Sequence, residues 1–273
     1  MAISNFVSTV WSENLLKQLT QHYIGVLNCN REYEGEIKSK GSIVNICGVN
    51  EISVMDYENG CDMDEPEALD TYYNTLEADR AKYFNFQIDD VEKAQGNIKL
   101  MDAAMSVAAS ALAHEADRHV YSLYKEASFS KKLDNVTSEN IVDHILDAKT
   151  LLMKNNTGDL NDLVFEVSPD VANILLKAKI DLGINNGETL ETGYIGKIAG
   201  CKVYVTNNIH IDDDGYYQCF LRTKRAIAFA EQVSEVEAYR PEKRFADAVK
   251  GLHIYGAKIV YPSEMMALGI KLA

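Results

Sequence analysis

The sequence predicts an α+β protein built around one unusually long helix flanked by short strands. No glycine or proline occurs between Gly96 and Gly158, and across residues 97–127 apolar side chains recur every three or four positions. A helix of that length would reach about 46 Å, whereas the average globular helix has only about 11 or 12 residues. The strands are predicted in runs rich in β-branched and aromatic residues on both sides of the helix.

The first ninety residues predict two extended parts. Residues 1–30 form an arm with one short helix, on which Trp11 begins an apolar stripe. In residues 31–90, two β-rich runs flank an acidic, turn-rich tract at 58–70, which predicts a long antiparallel hairpin. The second run, 72–88, would reach about 55 Å as a single strand. Such a hairpin is marginally stable alone, and the chain offers no obvious surface for it to lie on.

Residues 131–229 predict helices packed beside a mostly antiparallel sheet. Thr137 is the predicted cap of a first helix, and Ser168 followed by Pro169 marks the start of a second. Between them lies the buried strand of "DLVFEVSP". The runs "GCKVYVTNNI" and "YYQCFLRTKRAIAFAE" are two further strands around the turn "DDDG".

Residues 230–273 are again strand-like, with Gly251 and Gly256 as predicted interruptions.

Composition excludes several functional classes. The formal net charge of −14 repels phosphates and disfavours tight nucleic-acid binding. No apolar run is long enough to cross a membrane. The five cysteines have no CxxC spacing and predict reduced, mostly buried thiols rather than disulfides or a zinc site.

Three sequence patterns resemble catalytic or metal sites but lack the required spacing. His114 and His119 in "HEADRH" are five residues apart, whereas the zinc-protease motif places its histidines four apart on one helix face. The tract from Asp212 to Gly215 lacks the glutamate of a calcium loop. "YIGKIAG" has neither P-loop nor dinucleotide-fold spacing, and no serine sits in a GxSxG elbow. The sequence therefore predicts no enzyme, no cofactor and no metal.

The arm, the hairpin and the long helix all have apolar surface for which the sequence shows no partner in the same chain. Neighbouring copies of the chain would supply that partner. A head-to-tail contact repeated around a closed ring builds a shell.

Five segments carry a resemblance to a known family: "VWSENLLKQL", "NREYEGEIKSKGSIVNI", "KYFNFQIDDVEKAQ", "VYVTNNI" and "FADAVKGLHIYGAKIVYP". Together they resemble tailed-bacteriophage major capsid (coat) proteins of the Hong Kong 97-type fold. The resemblance implies an N-terminal arm (1–30), an extended loop (31–90), a peripheral domain with a spine helix (91–130 plus 230–273) and an apical domain (131–229).

The resemblance also implies a function. The chain would assemble with itself into pentamers and hexamers of an icosahedral head that encloses double-stranded DNA without sequence-specific binding. It would act in the virion capsid after assembly in the bacterial cytoplasm. Because the arm starts at Met1, a separate scaffolding protein is expected, together with a portal. Residues 230–273 contain no asparagine, so non-covalent assembly is expected in place of the isopeptide cross-link of some members.

Contacts between subunits are predicted at the arm, the loop and the returning segment. The acidic loop tip is expected to meet a basic patch on a neighbour, while aromatic residues bury apolar area. The residues proposed for these contacts are Trp11, Asp62, Asp64, Glu65, Glu67, Tyr73, Phe84, Phe86, Arg240, Lys243 and Arg244.

Two other interpretations remain open at this stage. One is an encapsulin-like shell that encloses a protein cargo. The other is a module that binds a small ligand through residues 131–229.

Overall fold

The structure is a computed structural model that describes residues 15–33, 37, 39–49, 52–54, 56, 66–68, 71–89, 99–155, 162–178 and 194–273. Trp11, Asp62, Asp64 and Glu65 therefore lie outside the described residues.

The described residues contain four helices: α1 (15–22), α2 (Lys99–Ser122), α3 (Ile141–Lys154) and α4 (Pro169–Lys177). Helix α2 confirms the predicted long helix, and its 24 residues extend about 36 Å. The helix ends earlier than predicted, because the chain tightens into a 3₁₀ turn at Leu123–Glu126. One face of α2 is buried in the main core.

The two shorter helices test the predicted caps. Thr137 is not a cap, since α3 begins at Ile141 after Asn140. Thr137 instead donates its backbone N–H to Oδ1 of Asn140 at 2.8 Å, within the turn that precedes the helix. Ser168 is confirmed as the cap of α4, because its hydroxyl accepts the N–H of Val171 at 3.3 Å.

Eleven strands lie in the described parts of the chain. They are β1 (Ile43–Val49), β2 (Thr71–Glu77), β3 (Arg80–Asp89), β4 (Phe129–Val136), β5 (Val164–Val167), β6 (Tyr194–Ile198), β7 (Cys201–Val205), β8 (Tyr217–Arg222), β9 (Ile227–Tyr239), β10 (Ala246–Ile259) and β11 (Met265–Leu272).

The strands form three sheets, ordered β1-β2, β3-β10-β9 and β4-β11-β8-β5-β7-β6. The six-stranded sheet is mostly antiparallel, as predicted, with three antiparallel pairings. It is nevertheless mixed, because β4 pairs parallel to β11 and β5 parallel to β7. The last strand of the chain, β11, lies inside this sheet between β4 and β8. The three-stranded sheet is antiparallel throughout.

The predicted hairpin is confirmed, but its second run is not one strand. Strand β2 pairs antiparallel with β1, from Ile43 opposite Glu77 to Val49 opposite Thr71. Strand β3 begins at Arg80 and pairs with β10 in another sheet. The prediction of one strand across 72–88 was therefore wrong, since both halves have β-forming sequences and only the tertiary partners separate them.

The base of the hairpin has a partner in its own chain, contrary to the expectation from sequence. The side chains of Val44, Ile46 and Leu76 are buried in a second core with Ala228 and Ile254. This core fixes the inner face of the β1–β2 pair against β9 and β10.

The two glycines of the returning segment do not interrupt it. Strand β10 is continuous over Ala246–Ile259, with a register shift between Leu252 and His253. A Cβ on Gly251 would lie 2.4 Å from the ring of Phe84, and one on Gly256 would lie 2.2 Å from the carbonyl oxygen of Glu77. Both glycines allow a neighbouring group to approach the strand closely.

The run 216–231 is likewise two strands rather than the one strand predicted. A 3₁₀ turn at Lys224–Ala226 divides it into β8, in the six-stranded sheet, and β9, in the three-stranded sheet.

The segment between α1 and Arg31 is held by buried polar side chains from both larger sheets and from α2. Arg222 and Glu166 form a fully buried ion pair, with Nε and Nη2 of the arginine each 2.9 Å from a carboxylate oxygen. Arg222 also donates to the backbone carbonyls of Asn28 at 2.6 Å and Gly25 at 3.0 Å. Burial lowers the pKa of Arg222, but the charge of Glu166 and the other partners raise it by more, so the net shift is upward and the guanidinium remains charged.

Asp117 of α2 holds the same segment from the opposite side. Its fully buried carboxylate accepts the backbone N–H of Ile24 at 3.1 Å and that of Val26 at 3.0 Å. The amide of Asn208 donates a third bond at 3.3 Å.

Glu231 of β9 connects the segment to the three-stranded sheet. It accepts hydrogen bonds from the hydroxyl of Tyr23 and from Arg31, and its Oε2 lies 2.8 Å from Nε2 of His253. Burial raises the pKa of Glu231, but the bonds and charges of these partners outweigh it and lower the pKa below its ordinary value.

We expect Gly256→Ala to lower the free energy of unfolding by about 1–3 kcal/mol, because the new methyl group meets the Glu77 backbone rather than a movable side chain. Chemical denaturation measures this loss. Gly269→Ala is the matched control, since its Cβ would meet Nε2 of the flexible Gln218 side chain at 3.3 Å. Equal losses for both variants would contradict the close crossing of the hairpin base over β10.

We expect Arg222→Met to cost about 3–5 kcal/mol of stability, because Glu166 would remain charged and buried without a partner. Adding Glu166→Leu removes that carboxylate and should recover part of the loss. If the stability loss of the double variant equals the summed losses of Arg222→Met and Glu166→Leu, the ion pair does not act as a unit.

Candidate functional site

The outer face of the β1–β2 hairpin is exposed and largely uncharged. Ile43 is 61% and Tyr73 67% exposed, and Cys47 lies opposite Tyr73 in the pair. Cys47 is thus an exception to the expected burial of the cysteines, whereas Cys29, Cys201 and Cys219 are buried as predicted. Tyr73 is placed where a contact from outside the chain could cover it.

The aromatic residues of β3 divide between its two faces. Phe84 and Phe86 are half-buried against the main core, and their rings stack with centroids 5.9 Å apart. Tyr83 points to the opposite face by strand alternation and is 78% exposed. Much of the predicted burial of Phe84 and Phe86 therefore occurs within the chain, and Tyr83 offers the larger free surface.

A groove lies beside Tyr83 on the three-stranded sheet, across β3, β10 and β9. Tyr83, Leu252 and the stem of Lys250 supply its apolar surface, and the ring of Phe84 over Gly251 forms part of its wall. Asn85 and Glu237 supply polar groups.

The turn between β9 and β10 forms an exposed basic and aromatic surface. Lys243 and Arg244 are exposed and have no carboxylate partner among the described residues. Arg240 lies 3.4 Å from Asp247 of its own chain, so part of its charge is compensated internally. Phe245 is 85% exposed. Phe245 was not among the contact residues predicted from the sequence, although a phenylalanine directly after a basic turn is a visible signal.

Of the acidic residues proposed at the loop tip, Glu67 lies in the described part of the chain. It is exposed, and its carboxylate accepts the backbone N–H of Ser53 at 3.0 Å. This bond links the two sides of the loop near its tip. Among the described residues, Glu67 forms no ion pair with the basic turn of its own chain.

The histidines of α2 have structural partners. Nδ1 of His114 lies 3.0 Å from the amide nitrogen of Asn208, and the His119 ring packs beside Tyr255 with centroids 5.7 Å apart. Glu115 pairs with Lys82 at 2.9 Å and with Arg118, and the Lys82 hydrogen bond holds the pKa of Glu115 below its ordinary value.

Asp212, in the predicted turn "DDDG", accepts hydrogen bonds from the backbone N–H groups of Asp214 and Tyr216. Nothing in the described part of the chain gathers three metal-ligating side chains. None of the helices described there combines the length and apolar character needed to span a bilayer.

The junction of Arg222, Glu166, Asp117 and Glu231 was likewise not predicted from the sequence. These residues are separated by up to 114 positions, and no local motif joins them. The only available signal was the occurrence of a charged residue inside an otherwise apolar strand, as in "VFEV" and "CFLR".

Neither a protein-family model nor a curated protein sequence matches the chain. Several solved structures, however, are similar to the chain along most of its length. A chain from Mycobacterium phage Che8 is 25% identical, with a TM-score of 0.70 and 90% of each chain covered. The capsid structure of cyanophage P-SCSP1u contains a chain that is 14% identical, with a TM-score of 0.67, covering 90% of this chain and 86% of that one.

A virus-like particle from Pyrococcus furiosus is also similar, at 14% identity and a TM-score of 0.58, with 96% of this chain and 99% of that chain covered. The likeness extends along nearly the whole chain in each case. It confirms the resemblance that the five sequence segments predicted: the chain has the fold of tailed-phage major capsid proteins.

Proposed function

We propose that the protein is the major capsid protein of a tailed phage, and that it assembles with itself into the pentamers and hexamers of an icosahedral head enclosing double-stranded DNA. The observation that carries this proposal is the capsid fold across nine-tenths of the chain. The exposed hairpin, strand and turn surfaces support it, because they are apolar or charged surfaces whose opposite faces are packed in the cores of the chain.

The hairpin is suited to contact a neighbour because only one of its faces is used internally. Its inner face is fixed by Val44, Ile46 and Leu76, while Ile43 and Tyr73 on the outer face remain exposed. Apolar area removed from water contributes about 25 cal/mol per Å². Covering this face and Tyr83 would provide the larger part of the association energy.

The charged surfaces would set the register of that contact. The acidic tip at Asp62, Asp64, Glu65 and Glu67 is proposed to meet the basic turn of a neighbouring copy, at Arg240, Lys243 and Arg244. Exposed ion pairs contribute only about 0.2–1 kcal/mol each, so they select an orientation rather than supply most of the affinity. Trp11 of the arm is proposed as a further anchor between subunits.

The remaining parts of the proposal follow the family. The arm, extended loop, peripheral domain and apical domain would occupy 1–30, 31–90, 91–130 plus 230–273, and 131–229. A separate scaffolding protein and a portal would take part in assembly. The net charge of −14 is compatible with a wall that holds DNA weakly, allowing packaging and release.

A second candidate is a shell that encloses protein cargo. The likeness to the virus-like particle from Pyrococcus furiosus favours it, since that likeness covers almost the whole of both chains. The first candidate is preferred because the TM-scores of the phage structures are higher, at 0.70 and 0.67 against 0.58.

We expect the purified full-length protein, expressed with its scaffolding protein, to form closed shells visible by negative-stain microscopy. Nuclease-protected DNA in particles from infected cells would support the phage head, and a co-purifying enclosed protein would support the cargo shell. A monodisperse monomer under all these conditions would contradict both.

We expect reversal of Arg240, Lys243 and Arg244 to glutamate to reduce shell yield severalfold while the chain stays folded, because like charges would then face the acidic tip. Shell yield is measured by sedimentation, and folding by circular dichroism. Reversal of the exposed Lys125, Lys154 and Lys224 is the matched control, with the same change in net charge. Equal yields from both triple variants would contradict the proposed pairing.

A further inference from the structure

Asp117 differs from the other buried carboxylates that hold the N-terminal segment. Glu166 is paired with Arg222, and Glu231 with Arg31 and His253. Asp117 is fully buried, and no cation forms an ion pair with it among the described residues. Its charge, when present, is balanced only by the dipoles of N–H groups.

The hydrogen-bond partners of Asp117 belong to the segment that it restrains. Two of them are the backbone N–H groups of Ile24 and Val26, which directly follow α1. Any opening of this segment therefore removes both bonds and admits water to the carboxylate. The protonation state of Asp117 and the position of the segment are linked by this geometry.

Asn208 connects the buried carboxylate to the surface. Its amide lies 3.3 Å from Asp117 and 3.0 Å from Nδ1 of His114, and His114 is exposed. The nitrogen and oxygen of an amide side chain are interchangeable in such an arrangement. After rotation of the amide, its oxygen accepts a hydrogen bond from a protonated Asp117 carboxyl group and one from an Nδ1–H of His114. The site can therefore accommodate either form of the carboxyl group.

We propose that Asp117 is a proton-operated latch on the N-terminal segment. With a proton bound, it holds residues 24–26 closed against α2, and without the proton the segment opens more readily, because opening rehydrates an unpaired charge. The consequence for assembly rests on the proposed function, since the latched segment leads back through α1 to the arm proposed to contact a neighbour.

The direction of the effect follows from the balance of forces at the carboxyl group. Burial raises the pKa of Asp117 from its ordinary 3.8 to about 6, although the N–H bonds of Val26, Ile24 and Gly25 lower it and Glu166 raises it. A raised pKa in the closed state means that the closed state binds the proton more tightly than the open state. The stabilisation is thus present in acid and is lost as the pH rises through about 6.

Other titratable groups face the same junction and must be separated from Asp117 in a test. They come from the N-terminal segment, from α2, and from strands β5 and β8: Tyr23, Cys29, His114, Tyr121, Glu166 and Arg222. Burial raises the pKa of Cys29 to about 11 and that of Tyr23 and Tyr121 well above the ordinary value, so these three do not titrate near neutral pH.

The latch is tested by hydrogen–deuterium exchange of the full-length chain at about pH 5 and about pH 7.5, corrected for the intrinsic pH dependence of exchange. In the wild type, we expect amides of the segment 23–31 to open about tenfold less often at the lower pH, as linkage requires for a shift from 3.8 to about 6. Asp117→Asn should make the opening frequencies at the two pH values equal, because the amide does not titrate. Asp102→Asn, an exposed carboxylate on the same helix, should preserve it.

A second variant keeps the test decisive if Asp117→Asn does not fold. Asn208→Leu separates Asp117 from His114 but leaves both backbone bonds to the carboxylate. The wild-type ratio between the two pH values should therefore remain, and its loss would assign the pH dependence to His114 and overturn the proposal. An equal opening rate at both pH values in the wild type, or an unchanged ratio in Asp117→Asn, would overturn the proposal. The exchange of this segment is a property of one chain, so its outcome does not depend on whether shells form.

Discussion

The segment from Tyr23 to Arg31 is buried between the long helix and the two larger sheets, and its backbone polar groups must be satisfied there without water. Unpaired buried groups of this kind cost about 1–3 kcal/mol each. Arg222 satisfies the carbonyls of Gly25 and Asn28, and Asp117 satisfies the N–H groups of Ile24 and Val26. These side chains come from different elements, so the segment takes its position only when those elements are assembled around it. The rest of the structure depends on this requirement.

The same requirement determines how the two larger sheets are related. Asn30 forms a bridge to Ala228 at the start of β9, while Glu231 further along β9 contacts Tyr23 and Arg31. The ion pair of Arg222 and Glu166 adds the six-stranded sheet to the same cluster. A buried ion pair is weak as a source of stability, but it penalises any packing that would leave one of its charges alone. The cluster therefore favours a single arrangement of sheets and helix, which is what a subunit needs if its outer surfaces are to meet a neighbour in register.

The features that could be predicted from sequence are those determined by nearby residues. The long helix follows from its apolar rhythm, and the start of α4 follows from Ser168 and Pro169, whose chemistry acts within one turn. The break at Ala78 and Asp79 was not predictable, because the residues on both sides favour strands and the split arises from pairing with β1 and β10. The exposed positions of Tyr83 and Phe245 and the junction around Asp117 also depend on distant parts of the chain. Charged residues inside apolar strands, Glu166 and Arg222, were the one local sequence signal of that junction.

The hairpin is packed on one face and exposed on the other, which suits the contact proposed between copies of the chain. A two-stranded pair is marginal by itself, but here its inner face is packed on β9 and β10, and Gly256 allows the Glu77 backbone to cross closely over the sheet. The ordering of the hairpin base is therefore accomplished during folding of the single chain. Binding of its outer face in the proposed contact would then require less loss of conformational entropy than binding of a flexible loop. Because Ile43 and Tyr73 on that face are separated from the charged turn at Lys243 and Arg244, apolar burial and charge pairing can act at different places along one contact. In the shell contact proposed above, the first would supply affinity and the second orientation.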